Sequence, residues 1–297
     1  MQLDKTRIAI RERGVLDTYD ISLQVIREFF PALARAWLLA VVPLLVLNYF
    51  LIGWMVGPDM DPELATRYCW HYLLLLGVES PLLSIPMVGV LGPAVFLERP
   101  SWRRILAQIW SYSPHLIWCF LLLRGIAFCW LYEGLRGEID GDDYAGEILL
   151  YLLFLVWTVA FHAFRPFTAE IILLEKLPLF SRNEQTTSLF RRSNHLHGPA
   201  APNLIGNWLI GIFGGGLLTA AFMASLFSLV GVLFSEWTVF VAWKFHWLYP
   251  LPFFLAMGYL TVVRFLQYLD IRIRNEGWEV ELLLMAESPR LQNRVAT

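Results

Sequence analysis

Six ionisable side chains stand in stretches that are otherwise apolar: Glu79, Arg124, His162, Arg165, Glu170 and Arg264. Each interrupts a run long enough to cross a bilayer, which takes about 20 mostly apolar residues. A charge in hydrocarbon is costly, and is kept where it pairs, meets backbone carbonyls or serves a pathway. Depth sorts the six. With Glu175 at the interface, Arg165 lies about 15 Å inside at 1.5 Å per residue, the middle of a core about 30 Å thick. Arg124, counted from Pro114, reaches a similar depth. His162 is one turn from Arg165 on the same helical face. Arg124, His162 and Arg165 therefore form a candidate polar cluster that would hold an anion or a lipid phosphate. The competing reading is architectural: buried arginines bonding free carbonyls of a broken helix. It is the simpler of the two. Glu170, about 7 Å in, and Arg264, comparably close to the end of its own span, make a candidate ion pair. Glu79 is a candidate acid near the outer end of its span.

The elements that must position these residues follow from composition and periodicity. The chain has 297 residues and is 57% hydrophobic, against about 45–50% in soluble domains. The excess is gathered into runs at roughly 33–56, 68–97, 114–135, 146–175, 202–234 and 245–269. The expected fold class is all-α, an integral membrane helical bundle of about six transmembrane helices. Residues 14–30 carry Leu16, Tyr19, Leu23, Ile26 and Phe30 on one face, and Trp102, Ile105, Leu106 and Ile109 make a second stripe. Both segments read as amphipathic helices lying on the membrane surface. Ser181 and Glu184 have capping-box spacing for a polar helix over 182–196. Pro81, Pro86 and Pro93 remove backbone donors. They predict a bent or broken second span, tolerated only where it is buried or lines a cavity. Gly211, Gly215, Gly216 and Ala220 in the fifth span allow close helix approach.

Charge sets the expected orientation. Of the 23 Lys and Arg residues, one set of loops has only Arg67, Arg136 and Lys244, and three lie within spans; the rest fall on the other side. Lys and Arg favour cytoplasmic loops. Both termini, including the tail 270–297, are thus expected in the cytoplasm of a bacterial inner (plasma) membrane. The charged leader shows no cleavage pattern, so the first run reads as a retained span. Two stretches share one plan. AVFL leads into Glu98, Arg99, Pro100 and Ser101, and IILL into Glu175, Lys176, Pro178 and Ser181. A polar helix follows each, then a proline (Pro114, Pro202) opening the next span. The order reads as a parallel internal repeat.

Several function classes find no support. Cys69, Cys119 and Cys129 are too few for a disulfide framework. Cys69 and His71 stand isolated, and His195 and His197 lack a third ligand at metal spacing, so both read as surface histidines. No phosphate-cradling glycine loop, nucleophile elbow or zinc-protease motif is present. No cofactor, metal or nucleic acid is expected.

Three stretches carry a resemblance: the basic leader with LDTYDISLQVIREFF, the span end IILLEKLPLFSRNEQTTSLFRRS, and YLDIRIRNEGWEVELLL after the last span. The chain resembles the uncharacterised membrane-domain family related to the membrane part of bacterial glycerophosphodiester phosphodiesterases. The resemblance implies a multi-helix membrane module with no catalytic domain. The expected function is a non-enzymatic multi-pass protein in the lipid bilayer, a scaffold or subunit of a membrane complex with protein partners. The alternative is a transporter or lipid-handling module that binds an anionic ligand, such as an anionic phospholipid, near Arg124 and Arg165.

Overall fold

The structure is a computed structural model that describes residues 14–56, 62–95, 101–136, 144–180, 187–198, 201–239 and 241–276. The leader, the acidic connection 137–143 and most of the tail lie outside them. Every regular element among the described residues is helical. In chain order they are α1 (Val15–Ile52), α2 (Pro62–Val95), α3 (Trp102–Ser111), α4 (Ser113–Leu116), α5 (Ile126–Arg136), α6 (Tyr144–Phe164), α7 (Thr168–Glu170), α8 (Leu189–His197), α9 (Ala201–Phe234) and α10 (Pro250–Glu276). Wide π turns extend α4 over Ile117–Leu122 and α7 over Ile171–Glu175, and lead into α10 over Lys244–Leu248.

The segment expected to lie on the membrane surface and the first span are one helix, α1. It kinks at Phe29, whose φ of −104° and ψ of 16° leave helical geometry. Pro31, two residues on, removes a donor and crowds the preceding turn. Before the kink, Thr18, Ser22 and Val25 are buried against the bundle, while Leu16, Leu23 and Phe30 are exposed. That outward apolar stripe suits lipid.

At the centre of the bundle is α2, which touches α1, α3, α5, α6 and α10. Leu75, Leu83, Val88 and Leu91 are fully buried on it. It is unbroken through all three prolines, contrary to the expected break. Pro81 cannot donate to the Gly77 carbonyl one turn back; the Ser80 hydroxyl does so instead, at 2.9 Å. The helix thus keeps that carbonyl satisfied without opening.

The breaks fall elsewhere. Between α4 with its π turn and α5, the chain turns at Arg124 and Gly125, and Gly125 adopts φ +78°, where a Cβ would be strained. Between α6 and α7, it turns at Arg165 and Pro166. The runs at 114–135 and 146–175 are therefore each built from two helical pieces. The two stretches that share a sequence plan also differ in backbone: α2 is continuous where α6 and α7 are split, and α9 is continuous where α4 and α5 are split.

Four helical segments are long and apolar enough to cross a membrane: Leu16–Met55, Thr66–Ala94, Ala201–Phe234 and Lys244–Asn275. Ile126–Leu135 and Leu149–Thr158 are shorter apolar helices. Outward-facing Leu152, Leu153, Val156, Phe213, Leu217 and Val232 are exposed, a surface that calls for lipid rather than water. Only 11% of the most apolar window of α9 is buried. Its main attachment is to α10, where Gly215 permits the close approach: a Cβ there would stand 2.8 Å from Leu260 Cδ1. The polar helix α8 begins at Leu189, and Ser188 caps it by accepting from the Arg191 N–H at 3.4 Å. The expected cap Ser181 and its partner Glu184 lie outside the described residues.

Candidate functional site: an arginine network between two cavities

The two backbone breaks satisfy one another. A break frees carbonyls and amides that need partners in a dry interior. Arg124, 2% exposed, donates through Nη2 to the Arg165 carbonyl at 3.0 Å and lies 3.5 Å from Thr168 Oγ1. Thr168 Oγ1 donates to the same carbonyl at 3.0 Å. Trp157 Nε1, from α6, donates to the Leu123 carbonyl at 3.0 Å. The Phe167 N–H, freed just after Pro166, points at His197 Nε2 at 3.4 Å. His197 Nδ1 in turn donates to the Ser193 carbonyl at 2.7 Å. These two bonds require the neutral ring with its proton on Nδ1.

His197 is therefore buried, not a surface residue as its sequence setting implied, while His195 is exposed. Burial lowers its pKa to about 4; the Ser193 carbonyl opposes the shift, and Arg165 and Arg124 add to it. Phe167 stacks on the ring, centroids 5.3 Å apart.

Arg165 is placed differently from Arg124. It is partly exposed, donates through Nη2 to Asn194 Oδ1 at 3.0 Å, and stands 5.9 Å from the Phe190 ring. The backbone of His162 lies in α6; its side chain is outside the described residues. Between Arg124 and Arg165 is a cavity of about 20 Å³, walled by Cys119, Thr168, Phe190 and Ser193 among others. It has room for about one water, far less than a phosphate headgroup needs. The architectural reading of these arginines accounts for the contacts they make.

Glu170 and Arg264 meet across α7 and α10, with Arg264 Nε donating to Glu170 Oε1 at 3.0 Å. Glu170 is fully buried and the Arg264 side chain is 12% exposed. Arg124 is within electrostatic reach of both. Three buried atoms of this trio, Arg124 Nη1, Glu170 Oε2 and Arg264 Nη2, have no hydrogen-bond partner among the described residues. Nearer the end of the bundle, Glu175 accepts from Arg192 at 2.6 and 3.1 Å and from the Tyr268 hydroxyl at 2.8 Å, with Arg272 at 3.8 Å.

Arg264 also lines a second cavity, of about 600 Å³, set between α9 and α10 with Leu73 and Ser80 of α2 and Pro166 at its edges. This falls within the usual 300–1,000 Å³ of small-molecule sites. Its charged and amide side chains gather at one end, Asn207 on α9 and Arg264 with Gln267 on α10. Its body is mainly apolar, with Gly211, Gly215, Ala220, Met223, Phe253 and Met257; the hydroxyls of Ser80, Thr219 and Thr261 in the lining donate to carbonyls of their own helices. Exposed Ile212, Gly216 and Ala220 form part of the wall, so the cavity opens on the outer face of the bundle.

A separate polar group ties α1, α2, α5 and α6 together. Glu79, expected near the end of its span, sits midway along α2 and is fully buried. It accepts from Asn48 Nδ2 at 2.9 Å and Trp130 Nε1 at 2.7 Å. Two turns earlier, His71 Nδ1 lies 2.7 Å from Glu133 Oε2, and the Tyr151 hydroxyl meets His71 Nε2 at 2.7 Å and Glu133 Oε1 at 3.2 Å. His71 is thus paired rather than isolated. Glu133, a few residues before the acidic connection 137–143, is buried. One signal was present: Glu133 falls inside the apolar run 114–135, where a carboxylate needs a partner. Both carboxylates are held by hydrogen bonds that fix helix positions. No group of three or more His, Cys, Asp or Glu side chains among the described residues is placed to hold a metal.

No family model, curated protein or solved structure matches the chain. Its function must therefore be argued from these contacts and cavities.

Proposed function

We propose that the chain is a six-crossing protein of a bacterial inner membrane, with both termini in the cytoplasm, that binds an amphiphile from the bilayer in the cavity between α9 and α10. The split elements α4–α5 and α6–α7 each count as one crossing. The Lys and Arg distribution supports the orientation. The observation that carries the function is the ordering of the large cavity, polar at one end and apolar along its body. The two helices run antiparallel, with Gly215 against Leu260 and Phe227 beside Lys244. The start of α9 and the end of α10 therefore lie together, and both bring their polar side chains to that end. Asn207 to Met223 on α9 covers about 24 Å, and Phe253 to Gln267 on α10 about 21 Å. That shape suits a headgroup and an extended chain.

The reading revises the site expected at Arg124 and Arg165, whose space is too small, and moves it to Arg264. Ala220→Trp would fill the body of the cavity without touching its polar end. Native mass spectrometry of detergent-solubilised protein should then show lipid adducts on the wild type and their loss from the variant. Unchanged adducts would refute the cavity as the binding site.

A second reading, a subunit of a membrane complex, is supported by the apolar surface of α9, where Phe213, Leu217, Val232 and Leu233 are all exposed. Photo-crosslinkers placed at Phe213 and Leu233 in intact membranes would test it. Repeated recovery of one protein partner would support this reading, and lipid adducts alone would count against it.

A further inference from the structure

Charge balance around the large cavity indicates what would complete it. Arg124 and Arg264 share one carboxylate, Glu170. The polar end of the cavity therefore lies beside two guanidiniums that meet one carboxylate among the described residues. Unbalanced charge away from water is strongly unfavourable until something offsets it. Arg264 uses Nε on Glu170, and its Nη2 has no partner among the described residues. Gln267, one turn along α10, and Asn207 on α9 add neutral amides beside it.

Resting on the reading of this cavity as the working site, we propose that it seats one anionic phospholipid of the surrounding bilayer. The phosphate is held by Arg264 with Gln267 and Asn207, and an acyl chain lies along the Gly211–Ala220 wall. A guanidinium suits phosphate through charge-assisted, forked hydrogen bonds. A free phosphate would leave the long apolar body empty. A zwitterionic headgroup would bring an ammonium to the same end, and no carboxylate is among the residues lining the cavity.

The test uses the full chain in dodecyl maltoside, titrated with phosphatidylglycerol or phosphatidylcholine of identical acyl chains, and separately with inorganic phosphate. Binding is read by native mass spectrometry and by the shift in unfolding temperature. Phosphatidylglycerol is expected to bind at least about tenfold more tightly than phosphatidylcholine, because the choline ammonium would stand beside Arg264 with no carboxylate to receive it; inorganic phosphate should give no shift. The double variant Arg264→Gln, Glu170→Gln removes both charges of the pair together and should bring the preference to within about twofold. Gln267→Leu, which leaves the ion pair intact, should weaken binding of both lipids, since both carry the phosphate. Ala220→Trp should abolish binding of both lipids. Equal binding of the two lipids by the wild type, with both lost in Ala220→Trp, would overturn the anionic headgroup and leave the cavity reading standing. Retention of both lipids by Ala220→Trp would overturn the cavity reading itself. A tenfold preference that survives the double variant, or unchanged binding of both lipids by Gln267→Leu, would overturn the seat at Arg264.

Discussion

Two arginine-lined cavities lie on either side of Glu170, and they differ about thirty-fold in volume, about 20 Å³ against about 600 Å³. On one side, Arg124 and Arg165 crowd around the broken backbone. Arg124 has its Nη2 on the Arg165 carbonyl, and Arg165 reaches out to Asn194. On the other side, Arg264 holds Glu170 with one nitrogen. Arg124 and Arg264 each have one buried nitrogen with no partner among the described residues. The same residue type serves two ends. Arg124, next to a helix break, clasps a carbonyl the break releases. Arg264, on an intact helix beside a glycine-rich neighbour, borders an open space. Depth in the membrane does not distinguish the two; the backbone around each does.

Removing the shared carboxylate should disturb both sides most. Glu170→Ala leaves Arg124 and Arg264 facing each other without compensation and should cost about 3–5 kcal/mol of stability, measurable as a large drop in unfolding temperature in detergent. A cost no greater than that of a surface substitution would break the comparison, since Glu170 would then join nothing.

Acidification should strike the side of the broken helix through His197. The folded pKa of His197 is about 4, below the ordinary value near 6.5, so the unfolded chain binds the proton first. His197 thus carries no penalty above about pH 6.5, and stability falls between about pH 6.5 and 4, by at most about 3 kcal/mol. Protonation also removes Nε2 as acceptor for the Phe167 N–H. His197→Gln should flatten this part of the stability profile. An unaltered profile would mean the titrating group lies elsewhere.

Arg124→Met should cost about 1–3 kcal/mol by removing a buried charge-assisted bond to the Arg165 carbonyl, which then keeps only Thr168 Oγ1, and Arg165→Met about 1 kcal/mol or less. Similar losses from the two would erase the distinction between a buried carbonyl clasp and a rim contact. Smallest of all, Ala220→Trp should leave stability within about 0.5 kcal/mol while emptying the large cavity of lipid. A marked loss of stability would show that the body of the cavity cannot accommodate an added side chain.

Part of this arrangement could be read from residue order. Glu170 and Arg264 each lie a few residues from an interface, and helical rise alone puts them at one level. The same count levels Arg124 with Arg165. The location of the breaks was not legible. Three prolines in α2 argued for a break there, yet Ser80 serves the carbonyl that Pro81 cannot. One proline, Pro166, accompanies an actual break because Arg124, Thr168 and His197 are in place to take up the freed groups. Arg124 and His197 come from other parts of the chain, and a linear pattern does not contain them. The pairing of His71 with Glu133 and Tyr151 was hidden for the same reason, since the three stand on α2, α5 and α6.

By itself the sequence determined an all-helical chain with membrane-length apolar runs and a handful of charges buried among them. Those properties follow from composition, periodicity and rise per residue, which are local. Only the tertiary structure decided which arginine clasps a released carbonyl and which borders the large cavity. That outcome depends on whether a neighbouring helix presents a free carbonyl or, as α9 does at Gly211 and Gly216, no side chain at all.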